Sequence, residues 1–131
     1  MNNKFSIGIF DSGLGGLTVF KAVKAHFPNE HFIYLGDLAY LPYGSKSATT
    51  IIDRCNKIVK FLMGKNVKGI IVACNSASSV ALHTLQSLYD IPIIGVINPS
   101  ISLALEATKT KSIGLIGTHT TVSSKSYEKA L

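Results

Sequence analysis

Tryptophan is absent from this chain of 131 residues, cysteine occurs twice, and Asp and Glu together number seven. Each scarcity removes a class of protein. Two cysteines are too few for a disulfide framework, so each thiol is read as free and judged by its surroundings. Neither they nor the four histidines, His26, His31, His83 and His119, show C-x-x-C or H-x-x-x-H spacing, so no metal site is expected. Apolar runs such as "GIIVAC" and "IPIIGVI" stop far short of the roughly 18 to 20 residues needed to cross a bilayer, and no membrane partner is expected. The opening "MNNKFSIGIFDSG" carries one lysine, and Asp11 interrupts its apolar stretch too early for a signal-peptide core, which makes a cytoplasmic location the default expectation. The shortage of acidic residues leaves a formal net charge of +6. The basic residues are scattered singly, with no aromatic-interleaved tract, a pattern that argues against nucleic acid and for solubility. No lysine stands in a setting that suggests a Schiff base, so a pyridoxal phosphate enzyme is not indicated.

What is present suits a soluble globular protein of one domain, or one and a fraction, with 47% apolar and 15% charged residues. Short β-rich runs alternate with stretches of helical period. "FSIGIF" precedes "GLTVFKAVKAHF", "HFIYLG" precedes "ATTIIDRCNKIVKFLMG", and "VKGIIVA" precedes "SASSVALHTLQSLY". "IPIIGVI" then leads to "SISLALEAT", and "SIGLIG" to "VSSKSYEKAL". The alternation predicts an α/β fold, a flavodoxin-like parallel sheet flanked by helices. Ligands of such sheets bind beyond the carboxyl ends of the strands, here "DSGLGG", "GDLAYLPYGSKS", "CNSASS", "NPS" and "GTHTT". "SIGIFDSG" from Ser6 and "SIGLIGTH" from Ser112 resemble each other, which suggests that a second copy of the same lobe begins late in the chain and is truncated at Leu131.

In "DSGLGGL", Gly13, Gly15 and Gly16 permit positive φ and close backbone approach, so their N–H groups could meet a carboxylate or phosphate. The third glycine of a dinucleotide fingerprint falls on Thr18, and no Gly-Lys-Ser/Thr follows, so nucleotides are set aside. A plain strand-to-helix turn is the competing reading. Asp11 either caps the next helix or polarises a reacting group. Cys55 lies in step with Ile51, Ile58, Val59 and Leu62 on an apolar helical face and reads as core filler. Cys74 instead sits where a strand gives way to Asn75 and Ser76, at the start of a helix whose dipole and free N–H groups favour thiolate. Asn75 and Ser76 supply an amide and a hydroxyl suited to an amino acid beside that thiol, although a buried structural thiol is the ordinary alternative. "LPYGSKS" offers Pro42, Tyr43 and Gly44 as a loop that closes over a small polar ligand, or as a surface turn. His119 reads as a surface residue.

"DSGLGGL" at Asp11, "PYG" at Pro42, "ACNSAS" at Ala73 and "GTHTTVSSKSY" at Gly117, in this order, resemble the bacterial glutamate racemases. The resemblance extends from Ser6 to Tyr127 and departs at Ser76, where the family usually has threonine. It implies an enzyme without cofactors that interconverts L- and D-glutamate and supplies D-glutamate for peptidoglycan, with its site between two similar lobes. By the same resemblance Cys74 is one of two catalytic cysteines and Asp11 assists it. Ser12, Tyr43, Gly44, Asn75, Ser76, Thr118 and Thr121 hold the substrate. Residues 1–98 would form the first lobe, with a hinge at Asn98 and Pro99, and residues 99–131 the truncated start of the second.

The family's second cysteine has no counterpart here. The Ser6-to-Ser112 interval, counted on from Cys74, would place it past Leu131. Inverting a tetrahedral carbon requires proton-transfer groups on both faces, so this chain alone is expected to be inactive. Uncovered apolar surface would favour a homo-oligomer. Two alternatives stay open: a racemase of the same superfamily acting on aspartate or another amino acid, and a non-catalytic remnant that only binds a ligand.

Overall fold

The computed structural model describes residues 5–131. Four parallel strands, β1 (Ser6–Asp11), β2 (Phe32–Gly36), β3 (Val67–Val72) and β4 (Ile93–Gly95), lie in the order β2-β1-β3-β4. This is the flavodoxin-type order, in which the chain moves outward from β1 to β2 and then returns to the other side of β1. The reversal opens a crevice at the carboxyl ends of β1 and β3. Asp11 and Cys74 stand at those two ends.

The helices form because apolar residues recur at helical spacing and need the sheet to cover them. On one face, α1 (Leu17–His26) lays Val19, Phe20 and Val23 against Ile9, Ile71 and Ala73. On the other, α2 (Ala48–Met63) buries Ile51, Cys55, Ile58, Val59 and Leu62, the stripe that the sequence spacing predicts. Ser47 starts α2 by accepting the Thr50 N–H, and such a cap stabilises by about 1 kcal/mol. Strand side chains alternate, so Ile9 joins the first layer and neighbouring Phe10 the second. Each fully buried aliphatic side chain contributes about 1.5 to 3 kcal/mol. Beyond β3 the helix α3 (Asn75–Val80) passes through Ala81 into α4 (Leu82–Leu88), which seats Leu85 in the α2 layer.

The last third departs from the expected alternation. "NPS" is not a loop: Asn98 and Pro99 lie in the first turn of α5 (Ile97–Ala107), where the missing proline N–H would have had no helical partner. "SIGLIG" does not become a strand. Residues 112–118 pair with none of the four strands, and Ile116 is fully exposed. A strand forms only with a ladder partner. Ile113 and Leu115 instead face Ile101, Ala104, Val122 and Tyr127 across an open space. "VSSKSYEKAL" is divided between α6 (His119–Ser123) and α7 (Ser126–Ala130), separated by Lys125 in a left-handed conformation at φ 55°. Among the described residues no helix is long and apolar enough to cross a membrane.

Candidate active site

The reversal crevice is a cleft of about 390 Å³ bordered by Asp11, Gly15, Gly16, Cys74, Asn75 and Ser100. Cys74 leaves β3 in extended conformation and occupies the N-cap of α3, where its Sγ accepts the Ala77 N–H at 3.5 Å. Its thiol donates to Ser12 Oγ at 3.6 Å, joining the loop after β1 to the loop after β3. Only 6% of the residue is exposed.

Asp11, equally buried, accepts the N–H groups of Gly13 at 3.1 Å and Gly16 at 3.0 Å, both through Oδ2. The expected anion cradle of the glycine loop therefore exists, and the protein's own carboxylate fills it. No described glycine has positive φ, which corrects the expected use of Gly13, Gly15 and Gly16. Gly16 is required by close approach: a Cβ there would stand 2.6 Å from the Asp11 Cβ and 2.9 Å from the Tyr34 hydroxyl. Tyr34 lies outside the sequence reading. It donates to the Gly13 carbonyl at 3.1 Å and fixes the loop from beneath. Burial first, then the Asp11 and Cys74 charges, push its hydroxyl above the usual phenol range. Nothing in "HFIYLG" distinguishes this tyrosine from an ordinary strand residue.

A second group lies beside the cleft. Ser76 Oγ is 2.8 Å from Thr118 Oγ1, which is 3.0 Å from Thr121 Oγ1. Thr118 also caps α6 by accepting the Thr121 N–H. Gly44 touches this cluster: a Cβ on it would lie 2.5 Å from the Thr118 Cβ, and its carbonyl accepts from Thr120 at 3.0 Å. Asn75 borders both the thiol cleft and a 220 Å³ hollow lined by Thr118 and Thr121. The fold thus gathers Asp11, Ser12, Cys74 and Asn75 on one side, and Gly44, Ser76, Thr118 and Thr121 on the other.

Tyr43 stands apart. Its ring is 1% exposed in the α2 core, and its hydroxyl donates to Asp37 at 2.5 Å. Arg54 grips the same carboxylate with two hydrogen bonds, at 2.7 and 3.0 Å, and stacks on the Tyr40 ring. Burial alone would raise the Asp37 carboxyl, yet the Arg54 and Tyr43 hydrogen bonds and the Arg54 charge hold it below the usual carboxylate range. Burial and that carboxylate drive the Tyr43 hydroxyl well above an ordinary phenol. Cys55 is fully buried, and burial pushes its thiol up to about 12, in keeping with a packing role. His119 is exposed. Among the described residues no three His, Cys, Asp or Glu side chains converge to hold a metal ion.

One thiol and one carboxylate thus line the same cleft, and Asn75 joins that cleft to a cluster of three hydroxyls. Comparison with known proteins points the same way. The family of Asp/Glu/Hydantoin racemases matches residues 17–131. A glutamate racemase of Hydrogenobaculum sp. (strain Y04AAS1) is 47% identical over 125 residues, 95% of this chain and 48% of its own length. The crystal structure of a Bacillus anthracis glutamate racemase isoform superposes with a TM-score of 0.93 at 41% identity, covering 96% of this chain and 47% of that one. A Francisella tularensis glutamate racemase, solved with D-glutamate, gives a TM-score of 0.88 at 41% identity over 96% of this chain and 47% of its own. The chain spans about half the length of the curated relatives it matches.

Proposed function

The chain belongs to the family of Asp/Glu/hydantoin racemases, and from that premise we propose that it carries one half of the site of a glutamate racemase. Cys74 is the thiol on one face of the substrate. As thiolate it removes the proton from Cα, and the resulting planar carbanion receives a proton on the opposite face from a second thiol that these residues do not supply. The Ala77 N–H, which the sulfur accepts, and Ser12, which accepts the Cys74 S–H, steady the sulfur between the two states. Asp11 uses Oδ2 to hold its own loop, leaving Oδ1 to attract the substrate ammonium. Gly44, Ser76, Thr118 and Thr121 shape the neighbouring wall, and Tyr43 acts from within the core by holding Gly44. The reaction requires no cofactor, because both transfers run between carbon and sulfur.

The observation that carries the proposal is the Cys74 thiol at the N-cap of α3, facing Ser12 and sharing one cleft with Asp11. The Francisella tularensis relative, solved with D-glutamate, supports glutamate as the substrate class. Residues 1–98 then serve as the first lobe and 99–131 as the start of a second. D-glutamate made in this way would feed peptidoglycan synthesis and cell shape from the cytoplasm. Exposed Leu103, Ile116 and Leu131 favour association with further copies of the chain.

The test is D-glutamate formation from L-glutamate by a chain of the relatives' length carrying these 131 residues. Replacing Cys74 by Ala should lower kcat on the order of 10³-fold, the usual weight of a positioned acid–base group. A Cys74→Ala protein with undiminished turnover would exclude the thiol. Faster turnover of aspartate than of glutamate would move the reading to the aspartate branch, and binding without turnover would leave a ligand-binding module.

A further inference from the structure

Tyr127 donates its hydroxyl proton to Asn75 Oδ1 at 2.6 Å, across 52 positions of sequence. The contact has two supports. Ser126 Oγ donates to the Ser79 carbonyl at 2.6 Å, so α7 is pinned to α3 one turn away. Lys125, at φ 55°, turns the chain so that Tyr127 faces Asn75. A heavy-atom separation of 2.6 Å suits O–H···O and is too short for an ordinary N–H···O bond. The oxygen of the Asn75 amide therefore faces Tyr127, and the two Nδ2–H donors face away from it. Asn75 is exposed on both the thiol cleft and the threonine-lined hollow.

We propose that Tyr127 is a positioning residue that locks the Asn75 amide with Nδ2 toward the cleft, so that Asn75 donates to a carboxylate of the bound ligand. The inference rests on the amino-acid site proposed above and adds the residue that orients one of its donors. Carboxylates accept only, so a donor end at Asn75 attracts one, while the acidic end at Asp11 attracts the ammonium. An untethered amide would present its carbonyl part of the time and repel the same carboxylate. Tyr127 removes the carbonyl-inward rotamer before the ligand arrives.

The test is titration of the ¹⁵N-labelled 131-residue chain with L-glutamate, followed by NMR, for four proteins: wild type, Tyr127→Phe, Asn75→Ala and the double variant. Asn75→Ala identifies the Asn75 Nδ2 resonances by their loss. Tyr127→Phe should bind roughly five- to tenfold more weakly, the scale of one ordinary neutral hydrogen bond. In the Asn75→Ala background the same change should add less than a factor of about two, because its effect runs through the amide. Equal loss in both backgrounds would make Tyr127 mere packing for α7 and overturn the proposal, as would wild-type affinity in Tyr127→Phe. If the wild-type chain binds no glutamate, the half-site is insufficient to hold the ligand by itself. The ligand-free spectra then decide: Nδ2 resonances that shift and broaden in Tyr127→Phe support the lock, and unchanged resonances refute it.

Discussion

Two thiols in one small fold show how much a residue's surroundings determine. Cys55 is sealed under α2 with its thiol pushed up to about 12, whereas Cys74 ends a strand and opens onto a cleft. At pH 8 iodoacetamide should add one equivalent to the native chain, at Cys74, and a second at Cys55 only after denaturation. Peptide mass mapping checks this, and equal labelling of Cys55 in the native state would contradict the assignment. Cys55 was legible in the sequence because its role follows from spacing along its own helix. The place of Tyr43 was not. "LPYGSKS" has the composition of an exposed turn, and what draws the ring inside is a carboxylate at Asp37 held by Arg54, 17 positions away on another element. Gly16 was legible as a glycine that matters, but for close approach and not for positive φ, since the atoms that exclude its Cβ come from Asp11 and Tyr34.

Among elements, the segment from Asp37 to Ser45 depends on a single polar anchor. It has two 3-10 turns, Leu38–Tyr40 and Tyr43–Ser45, and Gly44 from the second reaches the threonine cluster. The carboxyl of Asp37 is lower in the folded chain than in an unfolded one. Its contribution is therefore fully present above the unfolded carboxylate value, near pH 4, and is lost as pH falls through the folded value. Asp37→Asn should cost about 2 to 3 kcal/mol at pH 7, chiefly by stranding Arg54. The gap from wild type should begin to narrow below about pH 4 and close as pH falls through the lower folded value. Urea unfolding at pH 7 and pH 2.5 measures both, and a gap that is constant with pH would contradict the ion-pair account. The strands β1 to β4 were readable as elements because apolar runs between turn residues have few other fates in an α/β chain. "SIGLIG" has the same pattern and no strand beside it, so propensity alone did not make a strand there. The helix over Asn98 and Pro99 was hidden because Asn-Pro-Ser reads as a turn unless the first helical turn is considered.

For the molecule as a whole, strand order is what turns scattered motifs into a site. The reversal between β2 and β3 places the loops after β1 and β3 side by side, so Ser12 and Cys74 meet across 62 positions of sequence. Residues that the resemblance assigned to one ligand divide into a thiol side and a threonine side, joined at Asn75. The central claim is the proposed stereochemistry: Cys74 serves one face of Cα, and inversion needs a proton-transferring group on each face. Chiral chromatography of L-glutamate incubated with the purified, monomeric 131-residue chain tests that claim most directly. The account predicts D-glutamate no higher than in the protein-free blank, however long the incubation. Steady approach to equal amounts of the two enantiomers, catalysed by the monomer, would contradict it.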